Sequence, residues 1–273
     1  MNKSKYLFFS IFIFSLSANA ENSPSTPEIK KEVITIVADT WCPYNCNPKS
    51  ENPGFMIDIA KQVFAKHNIE ISYSTMPWTR AIEETRQGKH TAIIGASPDD
   101  AADFVFPSIS QGFMNNHLYV KSGNPWRYTG LDSLKKVVLG AIDGYSYNDE
   151  IDGYIKKYKL DPTYVELMSG DDALAINVSK LMRGKIGVTI ESRFVMNYYL
   201  SQNHLQNKID DIASLPPSNR DNLYIAFSPK DKALSQKYAD IISQETKNMR
   251  ASGELQKIMG NYGLDDWETA PMK

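Results

Sequence analysis

Apolar positions fall into two runs with the same rhythm. Val33 to Ala38 (VITIVA) is a compact run rich in β-branched residues, the mark of a buried strand. Phe55, Ile59, Val63 and Phe64 recur at helical spacing through Lys66, Ile69 to Ser74 alternates like a strand, and Thr79 to Gln87 reads as a helix stopped near Gly88. Thr91 to Gly95 closes the first run as a strand. The second run has strands at Val137–Ile142, Tyr164–Leu167 and Ile186–Ile190. Helices follow them: one through Tyr158 behind Gly144-Tyr145-Ser146-Tyr147, one capped by Asp171 and Asp172 and ending at Met182, and one over Ser192–Leu200. A β-α-β-α-β order occurring twice predicts two lobes, each a mainly parallel sheet flanked by helices, so the fold class is α/β with a cleft between the lobes.

Extended segments at 117–121 and 223–228 flank the second run and are expected to be the crossovers between lobes. Beyond them, helix-forming sequence runs from Lys232 to Met259 with a break at Ser252-Gly253 and should pack back on the first lobe. The expected organisation is therefore a discontinuous lobe one, 32–120 and 224–273, with lobe two, 121–223, inserted.

The first residues change the picture from fold to compartment. Lys3 and Lys5 precede an apolar run, Tyr6 to Leu16, and then Ala18-Asn19-Ala20. This is the pattern of a secretory signal peptide spanning 1–20. The apolar run falls short of the roughly 20 residues that span a bilayer. No Cys stands near the cut, which argues against a lipid anchor, and 21–31 reads as a polar, flexible leader. The expectation is a soluble, monomeric protein exported to the periplasm. The formal net charge is −2 and there is no basic block, so nucleic acid is a poor partner. The two cysteines, Cys42 and Cys46 in WCPYNC, are expected to form a disulfide in an oxidising compartment. A metal site is the competing reading, but no His is near and structural zinc sites usually take four ligands.

Ligands of open α/β sheets sit just beyond the carboxyl ends of the strands. At one such end lies Gly95-Ala96-Ser97-Pro98-Asp99-Asp100, small residues that let a solute approach backbone N–H groups. Trp41, Tyr44 and Trp78 fall at the same edge, where rings either sandwich a flat or cationic group or pack in the core. Gly144-Tyr145-Ser146 precedes a lobe-two helix whose free N–H groups suit an anion or carbonyl, unless it is a plain turn. Catalytic patterns are missing. His67, His90, His117 and His204 are scattered, and no nucleophile elbow, phosphate loop or dinucleotide fingerprint occurs.

The ordered marks Gly54-Phe55-Met56-Ile57-Asp58-Ile59, Pro77-Trp78, Gly88-Lys89, Ser97-Pro98-Asp99, Phe104 to Pro107, Arg183-Gly184-Lys185-Ile186 and Asn261-Tyr262-Gly263-Leu264 give the mature chain a resemblance. It resembles the extracytoplasmic solute-binding proteins of polar amino-acid ABC transporters, bacterial family 3, with their type II periplasmic-binding fold. The resemblance implies a protein that captures a small polar solute, an amino acid or related amine, and hands it to an ABC-type inner-membrane permease without cofactor, metal or catalysis. A dehydratase of the cyclohexadienyl type on the same fold and a ligand-presenting sensor are the alternatives. Members of the family often carry a Thr-Pro-Glu-Arg-like run whose Arg clamps a ligand carboxylate. Here Ser97 keeps the hydroxyl and Asp100 stands where that Arg is expected. Asp100 either faces the cleft or caps the next helix. By the same resemblance Glu191, with Ser192 beside it, falls where an acid receives a ligand amino group, and Arg80 is either a replacement anion site or a solvent-facing helix residue.

Overall fold

The computed structural model describes residues 31–216 and 221–268; the signal peptide and most of the leader expected from sequence lie outside the described residues. In chain order the elements are β1 (Glu32–Ala38), α1 (Phe55–Ala65), β2 (Ile69–Thr75), α2 (Trp78–Arg86), β3 (Ala92–Ala96), β4 (Gly112–Phe113), β5 (Asn116–Lys121), α3 (Leu131–Leu134), β6 (Leu139–Ile142) and α4 (Asp149–Tyr158). They continue with β7 (Val165–Met168), α5 (Ala173–Met182), β8 (Val188–Ser192), α6 (Arg193–Gln202), β9 (Ile209–Ser214), β10 (Asn222–Phe227), α7 (Lys232–Ser252) and α8 (Glu254–Gly260).

Two five-stranded sheets result, ordered β2-β1-β3-β10-β4 and β7-β6-β8-β5-β9. Each β-α-β run supplies parallel neighbours: β1 pairs with β2 and β3, and β6 with β7 and β8. The strands that complete the sheets, β10 on β3 and β4, and β5 on β8 and β9, are antiparallel. The crossings therefore lie elsewhere than the sequence suggests. Residues 117–121 belong to the second sheet and pair with β8 and β9, while 223–227 belong to the first. The chain changes sheet between Phe113 and Asn116 and again between Ser214 and Asn222. An extended apolar segment satisfies its backbone groups in whichever sheet offers an open edge, which its own sequence does not specify.

Around the first sheet, Ile34, Ile36, Phe64, Phe227, Tyr238 and Ile242 share one buried cluster, with the Phe64 ring edge-on to Tyr238 at 6.0 Å. The second sheet separates two clusters. On β5, Leu118 and Val120 face one and Tyr119 the other, the alternation a strand imposes. Gly253, left-handed at φ 79°, separates α7 from α8 at the expected break. Asp172 does stand at the start of α5, but its backbone (φ −100°, ψ 14°) is outside the extended region used by capping residues, and its side chain makes no capping hydrogen bond. The short β4, α3 and β9 were not expected from the sequence.

Candidate functional site

Beyond the carboxyl end of β1, residues 39–53 form a loop held at several points. Cys42 and Cys46 are disulfide-bonded with Cα atoms 4.7 Å apart. Trp41 N–H donates to the Asn45 carbonyl at 2.7 Å, Asn45 Nδ2 donates to the Asp39 carbonyl at 2.6 Å, and Cys46 N–H donates to the Pro53 carbonyl at 2.6 Å. Gly54 follows at φ 114°, and a Cβ there would lie 2.3 Å from the Tyr44 carbonyl oxygen, so no larger residue fits. This frame fixes the Trp41 ring, which stacks on Tyr44 at 4.3 Å and meets Tyr145 edge-on at 6.2 Å.

From Trp41 the site reaches across to the second sheet. Trp41 Nε1–H donates to Glu191 Oε1 at 2.9 Å, and the Ser192 N–H donates to the same oxygen at 2.8 Å. Glu191 Oε2 is buried without a hydrogen-bond partner. A second bridge runs the other way, with the Tyr145 hydroxyl donating to Asp39 Oδ2 at 2.5 Å. The Tyr44 hydroxyl donates to the Phe113 carbonyl at 2.7 Å and lies 3.2 Å from the Ser192 hydroxyl.

Between these bridges is a narrow cavity of about 30 Å³, room for a water or two, so a larger solute enters only as the walls part. Asp39, Trp41, Trp78, Gly95 and Asp100 line it from the first sheet; Tyr145, Ser146, Tyr147 and Glu191 line it from the second. Ile94 closes the floor, and Met114 and Asn116 enter from the crossing. Gly95 has φ 85°, and a Cβ on it would meet the Trp41 ring at 3.5 Å.

Of the residues singled out in the sequence, Trp41, Trp78, Gly95, Asp100, Tyr145, Ser146 and Glu191 come together here. Ser97 is fully buried behind the wall, where its N–H and Oγ–H donate to Asp100 Oδ2 at 2.7 and 2.9 Å. Asp100 thus closes the turn 97–100 and faces the cavity; no helix follows for it to cap, since the next element is β4. Tyr44 is fully buried beneath Trp41 rather than on the wall. Arg80 is exposed on α2 and Gly144 is exposed on its turn, and neither lines the cavity. Arg80 is the third residue of α2, on the turn opposite buried Trp78, Ala81 and Ile82. Sequence reasoning missed Asp39, Ile94, Met114, Asn116 and Tyr147. Asp39 carries a signal, since it directly follows the buried strand β1 at the sheet edge where ligands gather.

The electrostatics follow from burial. Asp39 is lifted to about 6, chiefly because burial disfavours its charge; the Tyr145 hydrogen bond opposes that, and Asp171 and Asp100 add to it. Glu191 is lifted to about 7 by burial and by Asp39, against the hydrogen bonds from Trp41 and Ser192. Asp100 is half-exposed by area, yet its carboxyl is packed closely enough that burial raises it too, against hydrogen bonds from Ser97 and Ser146. Tyr145 and Tyr147 stay protonated, as burial pushes both well above the usual range; the Tyr145 hydroxyl donates to Asp39, and that of Tyr147 accepts from the Ile142 N–H. Among the described residues, no group of three or more His, Cys, Asp or Glu is placed to hold a metal ion. No helix among them is long and apolar enough to cross a membrane.

Solved structures share this architecture. A histidine kinase sensor domain with similarity to periplasmic binding proteins superposes with a TM-score of 0.69 at 14% identity, over 86% of this chain and 99% of the other. An ancestral arginine-binding protein bound to arginine gives 0.66 at 18%, over 85% and 98%. A substrate-binding protein of an ABC uptake transporter from Streptococcus pneumoniae, with bound histidine, gives 0.66 at 20%, over 85% and 93%. Identities this low establish the fold, that of the type II periplasmic-binding proteins. No curated protein sequence matches this chain. The model of the bacterial extracellular solute-binding proteins, family 3, matches residues 33–265, most of the sequence. With its two sheets, its double crossing and the cavity between them, the chain belongs to the bacterial extracellular solute-binding proteins, family 3.

Proposed function

We propose that this chain captures a small polar solute, an amino acid or related amine, in the periplasm and delivers it to an ABC-type permease. The observation that carries this reading is the cavity whose opposite walls are joined by Trp41 to Glu191 and by Tyr145 to Asp39. A solute that supplies the same hydrogen bonds can substitute for these bridges, and the two units then close on it by bending at the crossings. Binding energy is spent on closure, and the closed form is what the permease reads.

Screening amino acids, polyamines and small sugars by thermal unfolding tests this. A solute at 100 times its Kd should stabilise the protein by about 2.7 kcal/mol. Saturable binding with the solute recovered unchanged supports capture; chemical conversion, or no response to any solute, refutes it. The likeness to a histidine kinase sensor domain favours one second reading, in which the closed protein is read by a membrane receptor instead. Solute uptake into cells lacking the chain distinguishes the two: transport fails if delivery is its role and persists if signalling is.

A further inference from the structure

Three carboxylates, Asp39, Asp100 and Glu191, line one cavity together with the rings of Trp41, Trp78, Tyr145 and Tyr147. No Lys, Arg or His is among its described lining residues. A row of acids alone is not a site, but here one acceptor is left over. Glu191 is 1% exposed and its Oε1 already takes two N–H donors, while Oε2 has none. A buried acceptor without a donor is costly, and a charged donor relieves that cost best.

The walls complete the description. Tryptophan and tyrosine faces attract a cation through their ring quadrupoles, most strongly where water is excluded. Asp100 stands on the cavity wall, held in place by Ser97. A ligand carboxylate there meets a like charge, which costs several kcal/mol in a closed site.

We propose that the cavity selects an organic cation, a primary amine or guanidinium, through Glu191 Oε2, Asp39 and the indole walls, with no subsite for an α-carboxylate. This rests on the solute-capture reading and narrows it. The cationic head donates N–H bonds to Glu191 Oε2 and Asp39 and lies against Trp41 and Trp78. The remainder of the solute needs only to be compact.

Calorimetric titration of the purified protein with agmatine, putrescine, arginine, glutamine and glutamate tests it. Agmatine is arginine without the carboxylate, so that pair isolates the group in question with no variant needed. Agmatine or putrescine should bind, and arginine should bind at least about tenfold more weakly than agmatine. Glu191→Gln should weaken agmatine at least about tenfold, the loss of one charge-assisted hydrogen bond. Asp39→Asn should act in the same direction and serves if the first variant does not fold. Binding of arginine as tight as that of agmatine, or binding of glutamine or glutamate, overturns this inference and leaves solute capture standing. Failure of both cations overturns it as well, and solute capture falls with it only if the wider screen is also silent.

Discussion

A change of pH should act on the empty protein through Glu191, and Glu191→Gln isolates the effect. Its carboxyl rises from 4.5 to about 7 on folding because burial disfavours the charge and Asp39 repels it. A raised acid binds its proton more tightly in the native state, so its contribution is fully present below about pH 4.5 and is lost as pH climbs through 7. At about 1.4 kcal/mol per unit, that shift is worth roughly 3 kcal/mol between pH 5 and 8. The titratable groups that interact with Glu191 from other elements are Asp39 and the tyrosines Tyr44, Tyr119, Tyr145 and Tyr147; burial keeps all four tyrosines neutral throughout, and Asp39 moves in the same direction as Glu191. His117, opposite Glu191 on β5, is tied to Asp211 at 2.9 Å. Urea unfolding at pH 5, 6, 7 and 8 should show the wild-type protein losing stability with rising pH and Glu191→Gln losing roughly 3 kcal/mol less over that range. The amide leaves an N–H₂ at the empty acceptor position, so the comparison is of pH dependence, not of absolute stability. Superimposable pH profiles for the two proteins would refute the argument.

Four further outcomes are expected. Gly95→Val should destabilise by at least about 1–3 kcal/mol in denaturant unfolding, because a β-branched residue is forced to φ 85°. Trp78→Ala should cost about 3–5 kcal/mol of stability, since Trp78 is a buried wall residue, and should also weaken solute binding by titration. Arg80→Ala, at an exposed position, should leave both within about 0.5 kcal/mol, and a large loss of binding would return Arg80 to the site. Thiol labelling without reductant should find neither Cys42 nor Cys46 reactive, and reduction of so short a loop should cost about 2 kcal/mol or less.

The doubled β-α-β-α-β rhythm was legible because buried parallel strands and amphipathic helices announce themselves locally, as in VITIVA and the Phe55, Ile59, Val63 spacing of α1. The lobe boundary was not, because His117–Lys121 has the same extended, apolar character in either sheet and only the assembled edges decide. Strand β9 (IDDIAS) escaped notice because its acids dilute the alternation, and it is an edge strand that tolerates them. The site was half legible for a similar reason. Trp41, Trp78 and Asp100 follow strand ends or open a helix, where position suggests a ligand edge, whereas Glu191 was marked by the family resemblance. Met114, Asn116 and Tyr147 reach the cavity only because the chain crosses and turns beside it, which no local pattern encodes.

The order of strands has a consequence for how the molecule is made. In the first sheet β3 lies between β1 and β10, and β10 leaves the ribosome more than a hundred residues after β3. The second sheet, by contrast, draws all five of its strands from the uninterrupted stretch 116–214. During synthesis the inserted unit can therefore be complete while the flank of β3 still presents bare amides and carbonyls. Shielding that flank until the last strand arrives is the step at which self-association competes with maturation.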